Sequence, residues 1–303
     1  MPVYNGERYV AEALESLVTQ TFSDFELVIA DNASTDRTEE ICRSYARRDD
    51  RVRYVRNRSN YGAIHNFNNV FRLTTGEYFK WAAYDDVCDA PFLSRCVEVL
   101  DQDPGVVLAC PRVVGIDEEG HPTDIVTRPG HGRGPVTGVR LDIDPAVSPF
   151  DPDPVQRWRF MMRYLWWTPH LYGLIRADAL SRTNLHPFHF NGDHILLAEL
   201  ALLGRFHEIP DELLHIRLHT ERTSRTSGAG QRLTVAHPHI VKSPTWLAIR
   251  VALAYPERFI AHAESIQRAP LTRSQRLACD YELLATVIRW ARMRGGSLLR
   301  RFD

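Results

Sequence analysis

Hydrophobic and polar positions alternate between two patterns along residues 1–110. In residues 7–19, apolar side chains recur every three or four positions, the spacing of one helix face. Residues 25–30 are instead a nearly continuous apolar run that stops at Asp31, as a buried parallel strand does at its end. The same patterns predict helices from residue 36, at 66–73 and at 91–100, and strands at 52–55, 78–83 and 106–110. This alternation predicts an α/β sandwich with a mostly parallel, Rossmann-like sheet flanked by helices.

After residue 110, the composition and the spacing of apolar residues change, first near residue 117 and again near residue 241. Residues 117–154 are rich in glycine, proline and aspartate, which predicts a long loop facing a substrate. Further elements follow, with helices predicted at 155–166 and 193–203 and strands at 171–175, 206–209 and 213–218. Residues from about 241 onward have helical spacing. We therefore expect three regions, at 1–110, 111–240 and 241–303, the last a C-terminal helical extension.

Charge and cysteine content narrow the partners and the compartment. The net charge of -1 and the isoelectric point near 6.9 argue against a nucleic-acid partner, because such proteins carry strongly basic faces. The five cysteines are widely spaced without a Cys-x-x-Cys pair, which favours a reducing compartment. No apolar stretch reaches the ~20 residues that span a bilayer. We expect a soluble, cytoplasmic protein.

The arginine-rich segment 289–301 has two interpretations. Its arginines alternate with apolar residues, as in an amphipathic helix that closes a domain. The same pattern supports peripheral contact with a membrane surface.

Carboxylates stand where predicted strands end. Asp31 opens the turn DNASTD, and Asp85 and Asp86 follow the apolar run at 78–83. In open α/β sheets, ligands bind beyond the carboxyl ends of the strands. Adjacent carboxylates repel each other, and a divalent cation with phosphate oxygens relieves that repulsion. The alternative is that such a pair belongs to a solvated turn.

Four stretches together resemble the family 2 glycosyltransferases, whose catalytic domain has the GT-A fold. They are PVYNGERYVAEALESLVTQTFSDFELVIADNASTDRT from residue 2, NYGAIHNFNN from 60, GEYFKWAAYDDV from 76 and GDHILLAELALLGRFHEIPDELLHIRLH from 192. The resemblance is clear over residues 1–115, fainter from 170 to 225 and absent in the terminal helices. It implies a nucleotide-sugar-binding half at 1–110 and an acceptor-binding half at 111–240.

The resemblance also implies which residues bind the donor. These are Pro2, Tyr4, Asn5, Asp31, Asn60, Gly62, Asn68 and Asp85. Asp31 would accept a hydrogen bond from the base, and a carboxylate suits the imide N–H of uracil or thymine. The donor would therefore be a UDP- or dTDP-sugar. Asp86 would bind Mg²⁺ or Mn²⁺, since hard oxygen ligands suit both ions. His219 would complete the metal or diphosphate site, or be an ordinary surface histidine.

An inverting transfer also needs a base that takes the proton of the acceptor hydroxyl. The resemblance implies Asp193 for this role, while the alternative is that Asp193 only caps its helix. The sequence departs from the family pattern at Tyr84, where another Asp or a Thr is usual, and at Gly192, where Glu is common. The acceptor would be a glycan, a lipid-linked molecule or a small molecule, in the synthesis of surface polysaccharide, glycolipid or glycosylated natural products.

Two rival functions and one expectation about the start of the sheet remain. The rivals are a catalytically silent nucleotide-sugar-binding protein and a sugar-phosphate nucleotidyltransferase, which would need a glycine-rich basic loop that PVYNGERY does not provide.

In the family, the PVYN motif follows an apolar central strand, and here only Met1 precedes Pro2. We therefore expect the first strand to be missing and the natural protein to begin upstream.

Overall fold

The fold is taken from a computed structural model of the chain. The structure describes residues 1–127, 148–164, 169–187, 191–219 and 244–299. Much of the loop predicted at 117–154 and the end of the arginine-rich segment lie outside the described residues.

The N-terminal region forms a three-stranded parallel sheet. The strands are β1 (Pro2–Val3), β2 (Leu27–Asp31) and β3 (Val52–Arg56), in the order β1-β2-β3. Helices α1 (Val10–Val18), α2 (Thr38–Arg48) and α3 (Ala63–Arg72) connect and follow these strands. Every residue of β2 is buried, as its continuous apolar pattern predicts. The parallel arrangement places the loops after β1 and β2 at the same edge of the sheet.

A second sheet of six strands has mixed directions. It contains β4 (Tyr78–Phe79), β5 (Val87–Cys88), β6 (Val106–Ile116), β7 (Pro122–Thr127), β8 (Leu174–Arg176) and β9 (Arg205–Arg217). The order is β4-β8-β6-β9-β5, with β7 paired to β6. Among the described strands of this second sheet, only β6 and β9 pair in parallel. The α/β class is confirmed, while the parallel arrangement is limited to the first sheet and this one pair.

Two strands differ in length from their sequence patterns. The apolar run at 78–83 pairs with another strand only at β4. Beyond β4, the Lys80 Nζ atom donates to the Tyr172 carbonyl and the Trp81 Nε1 atom donates to the Phe67 carbonyl. The chain then reaches Asp85 and Asp86 without regular structure. In contrast, the two strands predicted at 206–209 and 213–218 are one long strand, β9.

Four helices form a layer against the second sheet. The remaining helices are α4 (Phe92–Gln102), α5 (Pro154–Tyr164), α6 (Ala177–Ser181), α7 (Gly192–Leu203), α8 (Pro244–Arg268) and α9 (Arg273–Leu299). Of these, α5, α7, α8 and α9 pack on one another and share a core that includes Trp158, Leu196 and Leu283. Among the described residues, every helix is too short or too polar to cross a membrane. The predicted boundaries between the three regions stay a prediction.

A cavity of about 640 Å³ lies between the two sheets. Leu27 and Val28 of β2 line one side, and Tyr78 and Phe79 of β4 line the other. β1 pairs with β2 only at Ala30 and Asp31. β1 has two residues, and the expectation of a missing first strand stays a prediction.

Candidate active site

The loops after β1 and β2 are joined by hydrogen bonds. The Asn5 N–H donates to the Ser34 hydroxyl at 2.9 Å, and the Thr35 N–H donates to the Asn5 side-chain oxygen at 2.9 Å. The Gly6 N–H donates to the Thr38 hydroxyl at 2.8 Å. Asn5 has a positive φ of 49°, which asparagine tolerates better than most residues. The exposed Tyr4 thus stands on a loop that is already ordered by its neighbour.

Asp31 lies fully buried beneath these loops. One carboxylate oxygen accepts from the Ser34 N–H at 2.9 Å and the Ser34 hydroxyl at 2.6 Å. The other accepts from the Tyr54 hydroxyl and from Arg56 Nη1, the latter at 2.7 Å. Burial and the bond to Asp31 raise the pKa of Tyr54. Each oxygen of Asp31 therefore already has two donors within the chain.

Four asparagines connect the ends of β2 and β3 to helix α3. The Asn32 amide donates to Asn60 at 2.7 Å, and the Asn57 amide donates to Asn32 and to Asn66, both at 3.1 Å. The Asn60 oxygen also accepts from the Gly62 N–H at 2.9 Å. Gly62 has a positive φ of 90° just before α3 begins, a conformation that glycine adopts without strain. Asn60 and Gly62 thus lie beside the strand end that carries Asp31.

Asp85 and Asp86 meet the end of β9. The His219 Nε2 atom and an Asp85 oxygen are 2.9 Å apart, and both side chains are largely buried. Asp86 accepts from the Arg217 backbone N–H at 3.0 Å. The Tyr84 ring lies so close to Gly6 that a Cβ atom there would come within 2.7 Å of it. The acidic pair, His219 and the first loop therefore lie together, and their predicted roles in binding metal and donor stay predictions.

Arg217 lies beneath this site and contacts three parts of the chain. Its guanidinium donates to the Asp85 carbonyl at 3.0 Å, to the Asp117 carbonyl at 3.1 Å and to the Glu12 carboxylate at 2.6 Å. The guanidinium also stacks over the Tyr9 ring, which in turn contacts the His219 ring. The sequence analysis did not predict a role for Tyr9 or Glu12. Their spacing of three residues, which places both on one side of the start of α1, was the only sequence signal that they act together.

The residues at this site fit a cation that is bound mainly through a ligand. Within the described part of the chain, no three side chains of His, Cys, Asp or Glu lie close enough to hold a metal by themselves. The His219 Nδ1 atom is buried and has no hydrogen-bond partner among the described residues. A histidine that donates from one nitrogen to a carboxylate presents its other nitrogen as a metal ligand. Asp86 and His219 would therefore supply two ligands, and phosphate oxygens would supply more.

Asp193 begins a different part of the structure, at the first turn of α7. Its carboxylate accepts from the His194 N–H at 2.8 Å. Gly192 precedes it because a Cβ atom at that position would lie 2.7 Å from the Pro187 carbonyl oxygen. A glutamate at residue 192, as the family commonly has, does not fit this backbone without a shift. The departure from the family pattern thus has a steric reason.

Asn68 joins the two parts of the site. Its amide donates to the His186 carbonyl at 2.8 Å, and its oxygen accepts from the His186 N–H at 2.9 Å. The His186 ring lies 5.1 Å from the Trp81 ring, in the segment that leads to Asp85. Asn68 therefore positions the chain before α7. Its predicted contact with nucleotide stays a prediction, as does that of Pro2, which is buried in β1.

Histidines cluster around Asp193 with few hydrogen bonds. Burial lowers the pKa of His186 and of His194 to about 4, against a smaller opposing effect of the Asp193 charge. The rings of His194 and His262 are 5.2 Å apart, and burial lowers the pKa of His262 well below its usual value. These imidazoles are neutral near pH 7. His186 and His194 therefore lie near enough to feel the Asp193 charge while being uncharged themselves.

Part of the chain is similar to known proteins. Residues 1–140 match the model of glycosyl transferase family 2. An uncharacterized glycosyltransferase of Bacillus subtilis, EpsJ, is 30% identical over 110 residues, which is 36% of this chain and 32% of that protein. The chain thus spans about a third of the length of this curated relative.

Two solved structures share the fold. The S. aureus protein TarS, residues 1–349 in complex with UDP-GlcNAc, superposes with a TM-score of 0.65 at 19% identity, covering 98% of this chain and 74% of that one. The mannosyltransferase PcManGT from Pyrobaculum calidifontis, in complex with GDP-Man and Mn²⁺, gives 0.50 at 19% identity, over 95% and 84% of the two chains. The expected GT-A fold with C-terminal helices is confirmed.

Proposed function

Because the chain carries a glycosyl transferase family 2 domain over residues 1–140, we propose that it transfers a sugar from a nucleoside diphosphate donor to an acceptor hydroxyl. One observation carries the proposal. The acidic pair at 85–86, His219 and the loop after β1 meet at one edge of the sheets, next to the loop that begins at Asp31. That edge is where α/β sheets bind nucleotides.

The donor is a UDP- or dTDP-sugar in this proposal. TarS was solved with UDP-GlcNAc bound, and a carboxylate accepts the imide N–H of uracil or thymine. Since each Asp31 oxygen already has two donors, the base displaces one of them on binding. The Tyr54 hydroxyl is the simplest to displace, because its O–H rotates freely.

Mg²⁺ or Mn²⁺ would be held by Asp86 and His219 together with the diphosphate of the donor. PcManGT, solved with GDP-Man and Mn²⁺, supports a divalent cation. When bound, the cation would stabilise the negative charge that develops on the leaving diphosphate. Within the chain, Asp85 orients the His219 ring through the bond at Nε2, and Arg217 fixes the backbone of Asp85.

Asp193 is the proposed base for an inverting reaction. It takes the proton of the acceptor hydroxyl as that oxygen attacks the sugar carbon and the diphosphate leaves from the opposite face. Its place at the start of α7, in the part of the chain that follows the residues matched by the family model, suits contact with an acceptor.

The acceptor is a glycan, a lipid-linked molecule or a small molecule, and the pathway is the synthesis of polysaccharide, glycolipid or glycosylated natural products. The enzyme would act in the cytoplasm, with peripheral membrane contact through its C-terminal helices. The second candidate is a silent protein that binds the nucleotide sugar. The absence of a glutamate at residue 192 favours this candidate, and the steric reason for Gly192 weakens that argument.

Calorimetry with UDP, dTDP and GDP, with and without Mn²⁺, tests the proposal. We expect one pyrimidine diphosphate to bind, and Mn²⁺ to tighten that binding. Asp86→Asn removes the cation effect, while Asp89→Asn, three residues on and half exposed beside His215, leaves it unchanged. If no nucleotide binds to folded protein, the glycosyltransferase proposal fails. If binding is intact but no donor sugar is ever transferred or hydrolysed, the silent binding protein is correct.

A further inference from the structure

Arg56, the last residue of β3, lies directly beside Asp31 and is the more exposed of the two. Both residues are partners in the register of β2 and β3, and Arg56 Nη1 donates to an Asp31 oxygen at 2.7 Å. The Arg56 side chain is 32% exposed, whereas Asp31 is fully buried. Arg56 Nη2 also donates to the Ser34 carbonyl at 2.8 Å, and Glu39 lies 3.3 Å from Nη1. A guanidinium has more N–H groups than these contacts use, so donors remain for a ligand at this edge of the sheet.

We propose that Arg56 is a specificity-determining residue that donates to the O4 carbonyl of a uracil or thymine base. The inference rests on the proposed function, in which Asp31 accepts the imide N–H of that base. The base displaces the Tyr54 hydroxyl from the same Asp31 oxygen to which Arg56 donates. A carbonyl next to the imide N–H therefore comes beside the Arg56 guanidinium.

The order of the strands decides which of the two base carbonyls meets Arg56. β2, which ends at Asp31, lies between β1 and β3 in the first sheet. The loop after β1 contacts Tyr84, next to the acidic pair that binds the diphosphate in the proposed function, so the diphosphate lies on the β1 side of Asp31. The ribose is attached to the base beside O2, and O4 is at the opposite end of the same edge. O4 therefore points toward β3 and Arg56.

Asp31 and Arg56 together match one order of hydrogen-bonding groups. As a carboxylate, Asp31 only accepts, and Arg56 only donates because an arginine side chain keeps its proton in proteins. Uracil and thymine present an imide N–H next to the O4 acceptor, which is the complementary order. Cytosine presents a ring nitrogen without a proton next to an amino donor, which is the reverse order. A cytosine base would place two acceptors together at Asp31 and two donors together at Arg56, and leave all of them without hydrogen bonds.

Calorimetry with UDP and CDP, in the presence of Mn²⁺, gives the first test. The parent protein should bind UDP at least about 100-fold more tightly than CDP, because both groups of the pair reject cytosine. Arg56→Gln should reduce that ratio to about 10-fold, since the guanidinium that rejects the cytosine amino group is gone. Arg53→Gln, on the same strand, removes a 49% exposed arginine beside Glu26 and should leave the ratio unchanged.

Analogues of UDP with one carbonyl oxygen replaced by sulfur separate a direct contact from a structural role. Sulfur accepts hydrogen bonds weakly, so 4-thio-UDP should bind the parent about 10-fold more weakly than UDP. In Arg56→Gln this penalty should fall to about 2-fold or less, because glutamine is shorter and does not reach O4. The penalty for 2-thio-UDP should be the same in both proteins. Damage to the fold alone would instead weaken all three ligands equally.

Arg56→Lys keeps the test informative if Arg56→Gln fails to fold, because lysine retains the positive charge next to Asp31. Its ammonium pairs with Asp31 without the planar fork that also reaches O4, so the 4-thio penalty should fall in this variant too. Thermal unfolding of each variant checks its fold.

Three results would overturn the proposal, in distinguishable ways. A 4-thio penalty that is the same in the parent and in both Arg56 variants would remove the assignment of Arg56 and leave the proposed function standing. An effect of Arg56 on 2-thio-UDP instead of 4-thio-UDP would reverse the base and exclude the O4 contact. If folded parent protein binds no nucleotide, the proposed function and this inference fail together.

Discussion

Around Asp31, Asp85 and Asp86, side chains are held by hydrogen bonds and charges, whereas the buried rings of His170 and His262, in the part of the chain that contains α7, contact other aromatic rings. Asp31 has four donors, and Arg217 donates to several acceptors. In contrast, neither ring nitrogen of His262 or of His170 has a hydrogen-bond partner among the described residues. Directional bonds specify one geometry, while packing specifies mainly shape. The proposed donor side, around Asp31, Asp85 and Asp86, is therefore built in advance, and the proposed acceptor side, around Asp193, depends more on how the helices pack.

The largest effect is expected from removing the proposed base, Asp193, while the proposed donor side is left intact. Asp193→Asn should lower the rate of sugar transfer or donor hydrolysis by about 10²- to 10⁴-fold, because the base is lost. Calorimetry should show unchanged nucleotide binding, since the donor side keeps all its contacts. Asp178→Asn, an exposed acid on α6, is the matched control. An equal loss of nucleotide binding in Asp193→Asn would mean that the two sides are one unit.

Removing hydrogen bonds of Arg217, beneath Asp85, should lower both the free energy of unfolding and the affinity for nucleotide. Arg217→Lys keeps the charge but cannot donate at once to Asp85, Asp117 and Glu12, so the free energy of unfolding should fall by about 3 kcal/mol. Denaturant unfolding measures this, and Mn²⁺-dependent binding of the nucleotide should weaken in the same variant. Arg95→Lys, an exposed arginine paired with Asp211, should cost less than about 1 kcal/mol. If the two variants are equal, Arg217 does not organise the site.

Crowding the start of α7 should lower the free energy of unfolding somewhat less than Arg217→Lys does. Gly192→Ala places a Cβ atom 2.7 Å from the Pro187 carbonyl, which should lower the free energy of unfolding by about 2 kcal/mol. At Gly105 a Cβ atom would meet only side-chain ends at 3.0 Å or more, so Gly105→Ala is the control. Chemical denaturation compares the two. Gly192→Ala with parental stability would remove the steric explanation for glycine at this position.

Lowering the pH should lower the free energy of unfolding, because buried neutral histidines such as His170 resist protonation in the folded protein. Burial lowers the pKa of His170 to about 4. Below the unfolded pKa of about 6.5, the unfolded chain binds a proton that the folded protein resists, so stability falls as pH falls. From about pH 7.5 to about pH 5.5 the loss is about 1 kcal/mol per such histidine. His170→Leu should reduce this slope, and His121→Gln, at an exposed position, should not. Equal slopes in all three proteins would contradict the assignment.

Local elements followed closely from the hydrophobic pattern. The helix predicted at 193–203 is α7 with one more residue, and the apolar run before Asp31 is β2. The pattern failed at residues 80–83, which end the apolar run but pair with no neighbouring strand in the described structure, and where the partner strand decided the outcome. Strand β7 lies inside the region expected to be a loop, because β6 extends far enough to pair with it. Neither effect has a local signal.

The sequence by itself determined the order of strands and helices and the carboxylates that end the strands, because periodicity and strand-end polarity are local properties. The tertiary structure alone decided which distant residues meet. Asp85 pairs with His219 across 134 residues, Asn68 with His186 across 118, and Arg217 with Glu12 across 205. Such contacts depend on which strands become neighbours in the sheet, and hydrophobic periodicity specifies that a strand is buried without specifying beside which other strand it lies.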